Sequence, residues 1–439
     1  MSKVEVNEIR PQCGTTVTLG GSGETIALGA CAASSGFGAI TWCSSIKTAL
    51  FTAAAGKGYF INTCGGGYTV TLPATASVGD QINFTDYART WCAACKNLTL
   101  DQGSLKFQGQ TCPNPVYDTA GATVKIIYSG ATQGWLPQLD KGTSDEVPQT
   151  YNVEYLVVAG GGGGGAGTDN GGGGGGAGGY RTAASFSVVS GSSYPIQIGG
   201  GGAGGTAPGP CAAVTGTTGT NSVFSSITSA GGGGAGGAST PGKCGLDGGS
   251  GGGGAGEGDG CGGAGNTPPI SPVAQGFGGG KGENAPASDR GGGGGGASAV
   301  GVAGLQPLQG CGGIGSSYTN LGPLAPSYGT TGPAPGRYFA GGGGAGNYPG
   351  GAPSGGAGGG GNGAAESPSG PGYVGVINTG GGGGGGSISN KCGLQGGSGI
   401  VTLRYTTACA SPAVSGGDAN ATCGTSTIRV FTGDGTFVA

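Results

Sequence analysis

The chain contains no histidine, a single methionine, and 17 Lys+Arg against 20 Asp+Glu among 439 residues. Without histidine the commonest general base and metal ligand are missing, so neither a Ser-His-Asp nor a Cys-His arrangement can be assembled. Charged residues make up 8% of the chain, where about 25% is usual. The net charge is only -3, with no cluster of basic residues, which removes the electrostatic basis for binding nucleic acid. No run approaches eighteen consecutive apolar residues, so no membrane insertion is expected. The opening segment, Met1 to Gln12, is polar and has no apolar core of a secretory signal. Leucine, glutamate and lysine are also scarce, and with them goes any case for an α-helical fold.

What the chain has instead is glycine, 118 residues of it, against about 7% in average proteins. Each glycine inside a helix costs about 1 kcal/mol relative to alanine, so the backbone is expected to be extended. The chain also has fourteen cysteines: Cys13, Cys31, Cys43, Cys64, Cys92, Cys95, Cys112, Cys211, Cys244, Cys261, Cys311, Cys392, Cys409 and Cys423. Only Cys92 and Cys95 form a Cys-x-x-Cys pair, and a zinc site would need a second one. All fourteen are therefore read as disulfide candidates, with no metal and no cofactor. Seven precede residue 143 and seven follow it. Neither half can pair off within itself, and the connectivity stays open.

Composition shifts near residue 143, with 19 glycines before it and 99 after. The reading is a β-rich module over 1–142, a polar linker over 143–152, a glycine-rich domain over 153–406 and a C-terminal tail with a β-hairpin over 407–439. In the first part, short strands are expected at Thr16–Leu19, Lys47–Phe51, Tyr68–Leu72, Gln81–Phe84 and Val124–Tyr128. Tyr68, Val70 and Leu72 alternate with threonines as in a half-buried antiparallel strand. Trp42, Trp91 and Trp135 are expected to anchor the core. In the second part, strands are expected at Val153–Val158, Phe186–Ile198 with a break at Gly191, and Gly399–Thr406.

Nine pure glycine tracts lie between them, at 160–165, 171–176, 199–202, 231–234, 251–254, 291–296, 341–344, 358–361 and 380–386. Alternation with apolar strands and cysteines argues against a random-coil linker, and runs of six glycines exclude collagen's strict Gly-X-Y period. The remaining state is a bundle of polyglycine II helices: left-handed, three residues per turn, with every N–H and C=O bonded to a neighbouring helix. The fold expected is all-β and extended, an N-terminal β-module followed by a polyglycine II bundle with flanking strands and essentially no α-helix. Outer helices can carry a side chain every third residue, which Ala203 and Thr206 fit. AGEGDGC at Ala255 to Cys261 runs at period two and does not.

VEYLVVAGGGGGG (Val153 to Gly165), GGGGAGGYRT (Gly173 to Thr182), NSVFSSITSAGGGG (Asn221 to Gly234) and GGSGIVTLRY (Gly396 to Tyr405), taken together, resemble the glycine-rich tail-fibre and tail-tip adhesin proteins of tailed bacteriophages. The likeness is strongest to the marine and cyanobacterial phage type. In the first half, GTTVTLGGSGETIAL (Gly14 to Leu28), ITWCSSIKTALFTAAAGKGYFINT (Ile40 to Thr63) and VTLPATASVGDQINFTDYARTW (Val70 to Trp91) look like the β-module that precedes such a region. The resemblance implies a virion protein, assembled in the host cytoplasm and released by lysis. It also implies a homotrimer, contacts to other tail proteins, and a host-surface receptor held by loops at the ends of the bundle. TIRVFTGDGTFVA (Thr427 to Ala439) looks like the hairpin that elsewhere in the family precedes the VEYLVV strand, here displaced to the other terminus.

Catalysis has little support. Gly-x-Gly-x-x-Gly matches arise by chance in such a chain, and none opens a helix. The loop acids Asp169, Glu257, Asp259, Glu283 and Asp289 are formally enough for a carboxylate pair, yet serve better as solubilising charges, so no enzyme is expected. Receptor-binding candidates are the polar and aromatic residues between tracts: Asp169, Asn170, Asp289, Arg290, Tyr318, Asn320, Tyr328, Arg337, Tyr338 and Tyr348. Half of them are expected to face the wrong end of the bundle. Two other readings stay open, an ice-binding polyglycine II protein and a self-assembling extracellular filament.

Overall fold

In a computed structural model, residues 40–92, 96–139, 150–168, 170–207, 214–239, 242–285, 288–305, 309–347, 350–365, 370–388, 392–407 and 414–439 are described. The expected strand Thr16–Leu19 lies outside them. The chain divides into two compact units, residues 1–147 and 148–439.

The first unit winds between two sheets. Its strands are β1 (Thr41–Trp42), β2 (Phe51–Thr52), β3 (Lys57–Ile61), β4 (Tyr68–Thr71), β5 (Gln81–Asp86), β6 (Leu98–Asp101), β7 (Val116–Tyr117), β8 (Thr123–Tyr128) and β9 (Trp135–Leu139). One sheet has the order β1-β3-β5-β8-β9 and the other β2-β4-β6-β7. Successive strands alternate between the sheets as far as β6, so each turn of the chain adds one strand to each. The pairings they make are parallel, and only β7, β8 and β9 close the sheets antiparallel. Tyr68–Thr71 thus has the burial alternation expected of it but not the direction, since it lies parallel to β2 and β6. Lys47 makes only an isolated bridge to Ile61, and the expected strand there shrinks to Phe51–Thr52. Trp91 and Trp135 are fully buried with Ile82, Phe84, Leu98 and Leu100. Trp42 is not a core residue; it is 41% exposed and stacks on Phe60 with ring centroids 4.8 Å apart.

The second unit begins with β10 (Thr150–Val158), which overlaps the segment expected as linker. Twelve further strands complete two sheets and two small hairpins, nine of them before residue 407. These nine are β11 (Tyr180–Val189), β12 (Ser193–Gln197), β13 (Ser222–Phe224), β14 (Ile227–Ser229), β15 (Glu283–Ala285), β16 (Ser288–Arg290), β17 (Ser316–Tyr318), β18 (Arg337–Phe339) and β19 (Ile400–Thr406). β20 (Ala419–Cys423), β21 (Ser426–Phe431) and β22 (Gly435–Val438) come from the segment expected as a tail. The larger sheet runs β11-β10-β19-β21-β20 and the smaller β14-β13-β12-β22. The tail does contain a β-hairpin, β20–β21, but Thr427–Ala439 is not itself one: β21 pairs with β19 and β20, whereas β22 pairs with β12 in the other sheet. Tyr155, Phe224, Tyr405 and Phe437 pack between the two. No α-helix occurs among the described residues, only a 3-10 turn at Gly322–Ser327.

Between these strands the glycine tracts form extended rods with a three-residue hydrogen-bond period. In rod 160–166, Gly161 and Gly164 donate to Gly397 and Leu394, Gly162 and Gly165 to Gly176 and Gly173, and Gly163 and Ala166 to Thr217 and Val214, all at 2.8–3.1 Å. Its carbonyls accept from Gly202 and Gly205, from Gly232, Ala235 and Ala238, and from Gly383 and Gly386. One rod thus bonds to its neighbours on every side, as polyglycine II requires.

Rod 171–179 occupies the centre. It bonds to rods 160–166, 231–238, 250–256, 291–297, 341–347 and 380–387, which also bond to one another around it. Every residue of these seven segments is buried. An outer layer surrounds them, with a side-chain period of three: in 199–206, Gly199, Gly202 and Gly205 are buried while Gly200, Ala203 and Thr206 are more open to solvent. Where this outer rod has no further rod to bond, the Thr220 and Thr217 hydroxyls accept from the amides of Gly200 and Ala203, each at 2.7 Å. The period-two AGEGDGC is no rod, because residues 256–259 form the turn between two rods.

Two outer rods, 242–249 and 260–266, are joined by the Cys244–Cys261 disulfide, whose Cα atoms are 4.6 Å apart. Cys112 is also disulfide-bonded. Cys43, Cys64, Cys311, Cys392 and Cys423 are free thiols, and Cys13, Cys31, Cys95, Cys211 and Cys409 lie outside the described residues.

Glycine is required here by close approach. A Cβ on Gly174 would fall within 3.0 Å of the Gly343 carbonyl, whereas one on Gly200 would meet only Thr220 Oγ1 at 3.9 Å. Replacing Gly174 with alanine is expected to cost about 3 kcal/mol or more and to lower Tm by several degrees in calorimetry. Gly200→Ala should stay within about 0.5 kcal/mol of the parent. Equal losses at the two positions would contradict the packing.

Candidate functional site

Consecutive rods run in opposite directions, so their connections collect at two ends. The two sheets, the β17–β18 hairpin and the loop 319–336 lie at one, the sheet end. At the other, the loop end, lie turn 256–259, the β15–β16 hairpin and the rod termini at Thr168, Asn170, Ser239, Gly242 and Asn347. The ten binding candidates divide between these ends.

Tyr318, Asn320, Tyr328, Arg337 and Tyr338 belong to the sheet end, where local packing absorbs them. Tyr318 and Tyr338 are 5% and 6% exposed. Asn320 Nδ2 donates to Glu154 Oε1 at 2.6 Å, and Arg404 pairs with the other oxygen at 3.3 Å. Arg337 donates to the carbonyls of Tyr328 and Gly329, folding the loop back on its own stem. The Tyr338 hydroxyl accepts from the amide of Ala334. Burial, reinforced by the Glu154 carboxylate, pushes the phenol of Tyr318 well above its usual range. These side chains hold the loop: Tyr318, Asn320, Arg337 and Tyr338 engage polar partners, and Tyr328 packs partly buried against the neighbouring apolar cluster.

Asn170, Asp289 and Arg290 lie at the loop end; Asp169 and Tyr348 fall outside the described residues. The Asp289 carbonyl accepts from Gly171, the first amide of the central rod, at 3.2 Å, and Gly171 in turn accepts from Gly256 at 2.8 Å. The β15–β16 hairpin pairs Glu283 with Arg290 and Asn284 with Asp289. Asp259 Oδ1 accepts from the Asn284 amide at 2.9 Å, which joins this hairpin to turn 256–259. Lys243 reaches over the same turn, with Nζ 2.6 Å from where a Cβ of Gly258 would stand. Sequence reasoning passed over Lys243 and Asn284, because only the lattice of rods shows that they share an end with Asp289.

The loop end is thus a patch of carboxylates, amides and cations, among them Lys243, Lys281 and Arg290, carried on turns and a hairpin whose stems are hydrogen-bonded rods. Such groups suit hydrogen bonding to a polar, hydroxyl-bearing surface ligand. Among the described residues no group of three or more His, Cys, Asp or Glu side chains is placed to hold a metal ion. Burial, and behind it the charge of Glu257, raises the Asp289 carboxyl above the ordinary value of 3.8. Because the folded state holds that proton more tightly than the unfolded chain, this site favours folding as pH falls through its midpoint and opposes it above.

A sequence profile described as a glycine-rich domain matches residues 139–406, more than half of the chain. No curated protein matches.

A carbon-detected NMR titration should place the Asp289 midpoint above 3.8, and Glu257→Gln should move it down part of the way. A midpoint indifferent to Glu257 would contradict the proximity of the two carboxylates.

Proposed function

Starting from a chain that belongs to the glycine-rich domain family, we propose that it is a virion structural protein, a tail fibre or tail-tip adhesin that binds a host-cell surface receptor through its loop end. The observation that carries this reading is the sorting of the candidates. Those at the sheet end are engaged in packing, while Asn170, Asp289, Arg290, Lys243 and Asp259 gather on the hairpin, turn and rod ends at the other end. Rigid elements presenting functional loops are a recurrent way to build a binding surface.

In this reading the receptor is a glycan or an outer-surface protein, and the chain is not an enzyme. The first unit serves attachment to other tail proteins, the particle contains the chain as a homotrimer, and the protein is assembled in the host cytoplasm and released by lysis. Neither nucleic acid nor a membrane is a partner. The resemblance of Val153–Gly165 and Gly396–Tyr405 to phage fibre sequences supports it, and so does the absence of histidine. An ice-binding role draws less support, since the hydroxyls of Thr217 and Thr220 on the small-residue face already accept from rod amides.

The test is adsorption of the fluorescently labelled full chain to a panel of marine bacterial and cyanobacterial cells and to glycans extracted from their surfaces. Binding to at least one strain is expected, with a loss of tenfold or more when Asp289 and Arg290 are both replaced by alanine. Adsorption to none of the panel, or adsorption unaffected by the double change, would contradict the reading.

A further inference from the structure

Two large apolar surfaces on the second unit are not used by the loop end. The first is a ridge on outer rod 372–377. Gly372 and Gly375 turn inward, and the rod is tied to its neighbours by Tyr373 to Asn362, Gly375 to Gln395 and Val376 to Gly359, each at 2.8 Å. The remaining positions project Tyr373, Val374, Val376 and Ile377, which are 46–71% exposed.

The second surface is a flank with a cavity in it. Val273, Phe277, Val300 and Ile314 are 40–76% exposed. They sit on neighbouring segments, as the bonds of Phe277 to Gly296, Gly301 to Gly278 and Ser298 to Ile314 show. Beside them is a cavity of about 380 Å³ between loop 270–274 and the start of edge strand β11, lined also by Tyr180, Ala297 and Ser316. The loop wall is preformed. Asn266 Oδ1 accepts from Ile270 and Gln275, and the buried Gln275 side chain donates to Pro268 and accepts from Ala230.

We propose that these surfaces recognise each other between copies of this chain, the ridge of one seated against the flank and cavity of the next. Four observations favour a second copy as the occupant. The ridge projects and the flank is indented, and both are tied by backbone hydrogen bonds to the rods behind them. No charged residue occurs in 370–388, 260–280 or 291–318, and the one charged residue lining the cavity, Arg181, already donates to the Thr228 carbonyl at 2.9 Å, so contact would desolvate a single, partnered ion. Exposed apolar surfaces of this extent are a mark of association in soluble proteins. Finally, the two lie at one level along the rods. The bonds from Ala297 to Ala340 and from Ala340 to Thr379 link the flank's turn to the ridge's end.

The ridge stands outside ring rod 380–387 and the flank outside ring rod 291–297, two places apart around the centre. The contact is therefore heterologous, each copy using a different surface toward each neighbour. Equal height along the rods leaves no stagger between copies, which favours a closed ring over a filament.

The test is the mass of the full chain in solution by light scattering. The parent is expected as one discrete oligomer, and a ridge variant (Val376→Asp with Ile377→Asp) and a flank variant (Val273→Asp with Val300→Asp) as monomers. An equal mixture of the two variants retains one intact ridge and one intact flank, so it should form a dimer and nothing larger. Circular dichroism matching the parent would establish that the variants fold. A monomeric parent, a ridge variant that keeps the parent's mass, or a mixture that stays monomeric would each overturn the proposal. A flank variant that dimerises alone would replace it with a ridge-to-ridge contact.

Discussion

A polyglycine II rod has no hydrogen bonds of its own, so each amide in the bundle either finds a carbonyl on a neighbouring rod or goes unpaired in the interior. That constraint organises the second unit. Ordering a residue costs about 1–2 kcal/mol, with glycine at the upper end, and a net hydrogen bond returns only about 0.5–1.5 kcal/mol. A single rod cannot persist on those terms. Rod 171–179 does, because all six of its neighbours are rods bonded to it and to one another. The absence of side chains is what lets them approach. At Gly174 and its equivalents a Cβ would displace the carbonyl that another rod needs. None of the glycines in 171–176 or 291–296 has positive φ, so close approach, more than backbone freedom, selects glycine in these tracts.

The outer layer follows from the same rule with one side relaxed. A three-residue turn leaves some positions facing solvent, and these carry Ala203, Thr206, Cys244, Cys261, Val374 and Ile377. Threonine hydroxyls take over as acceptors where no further rod exists, and the Cys244–Cys261 disulfide ties one outer rod to the next. The sheets meet the same requirement at the bundle's edge: β10 leads into the first rod and β19 leaves the last, and the two strands pair with each other.

Much of this is legible in the sequence, and the exceptions have physical causes. The glycine tracts, the strands at Val153–Val158 and Ile400–Thr406, and the outward position of Ala203 and Thr206 follow from composition and period. The direction of Tyr68–Thr71 does not, because burial alternates every second residue in parallel and antiparallel strands alike. Trp42 reads as core by type, yet its two-residue strand lies at a sheet edge. The division of the binding candidates is hidden for a subtler reason. Which end a loop occupies depends on whether an odd or even number of rods precedes it, and several outer rods are not pure glycine. Gly242-x-x-Gly245-x-x-Gly248, Gly301-x-x-Gly304 and Gly372-x-x-Gly375 are rods whose only mark is a glycine at every third place. A count of glycine runs misses them, and the parity is lost; a search for that spacing would have recovered it.

The central claim is that the glycine tracts are rods bonded to one another, and amide hydrogen exchange read residue by residue tests it most directly. The amides of 171–179 should exchange only through global unfolding, as slowly as those of β10 and β19. Exchange of these glycines at the rate of a free chain, while the two strands stay protected, would contradict the account.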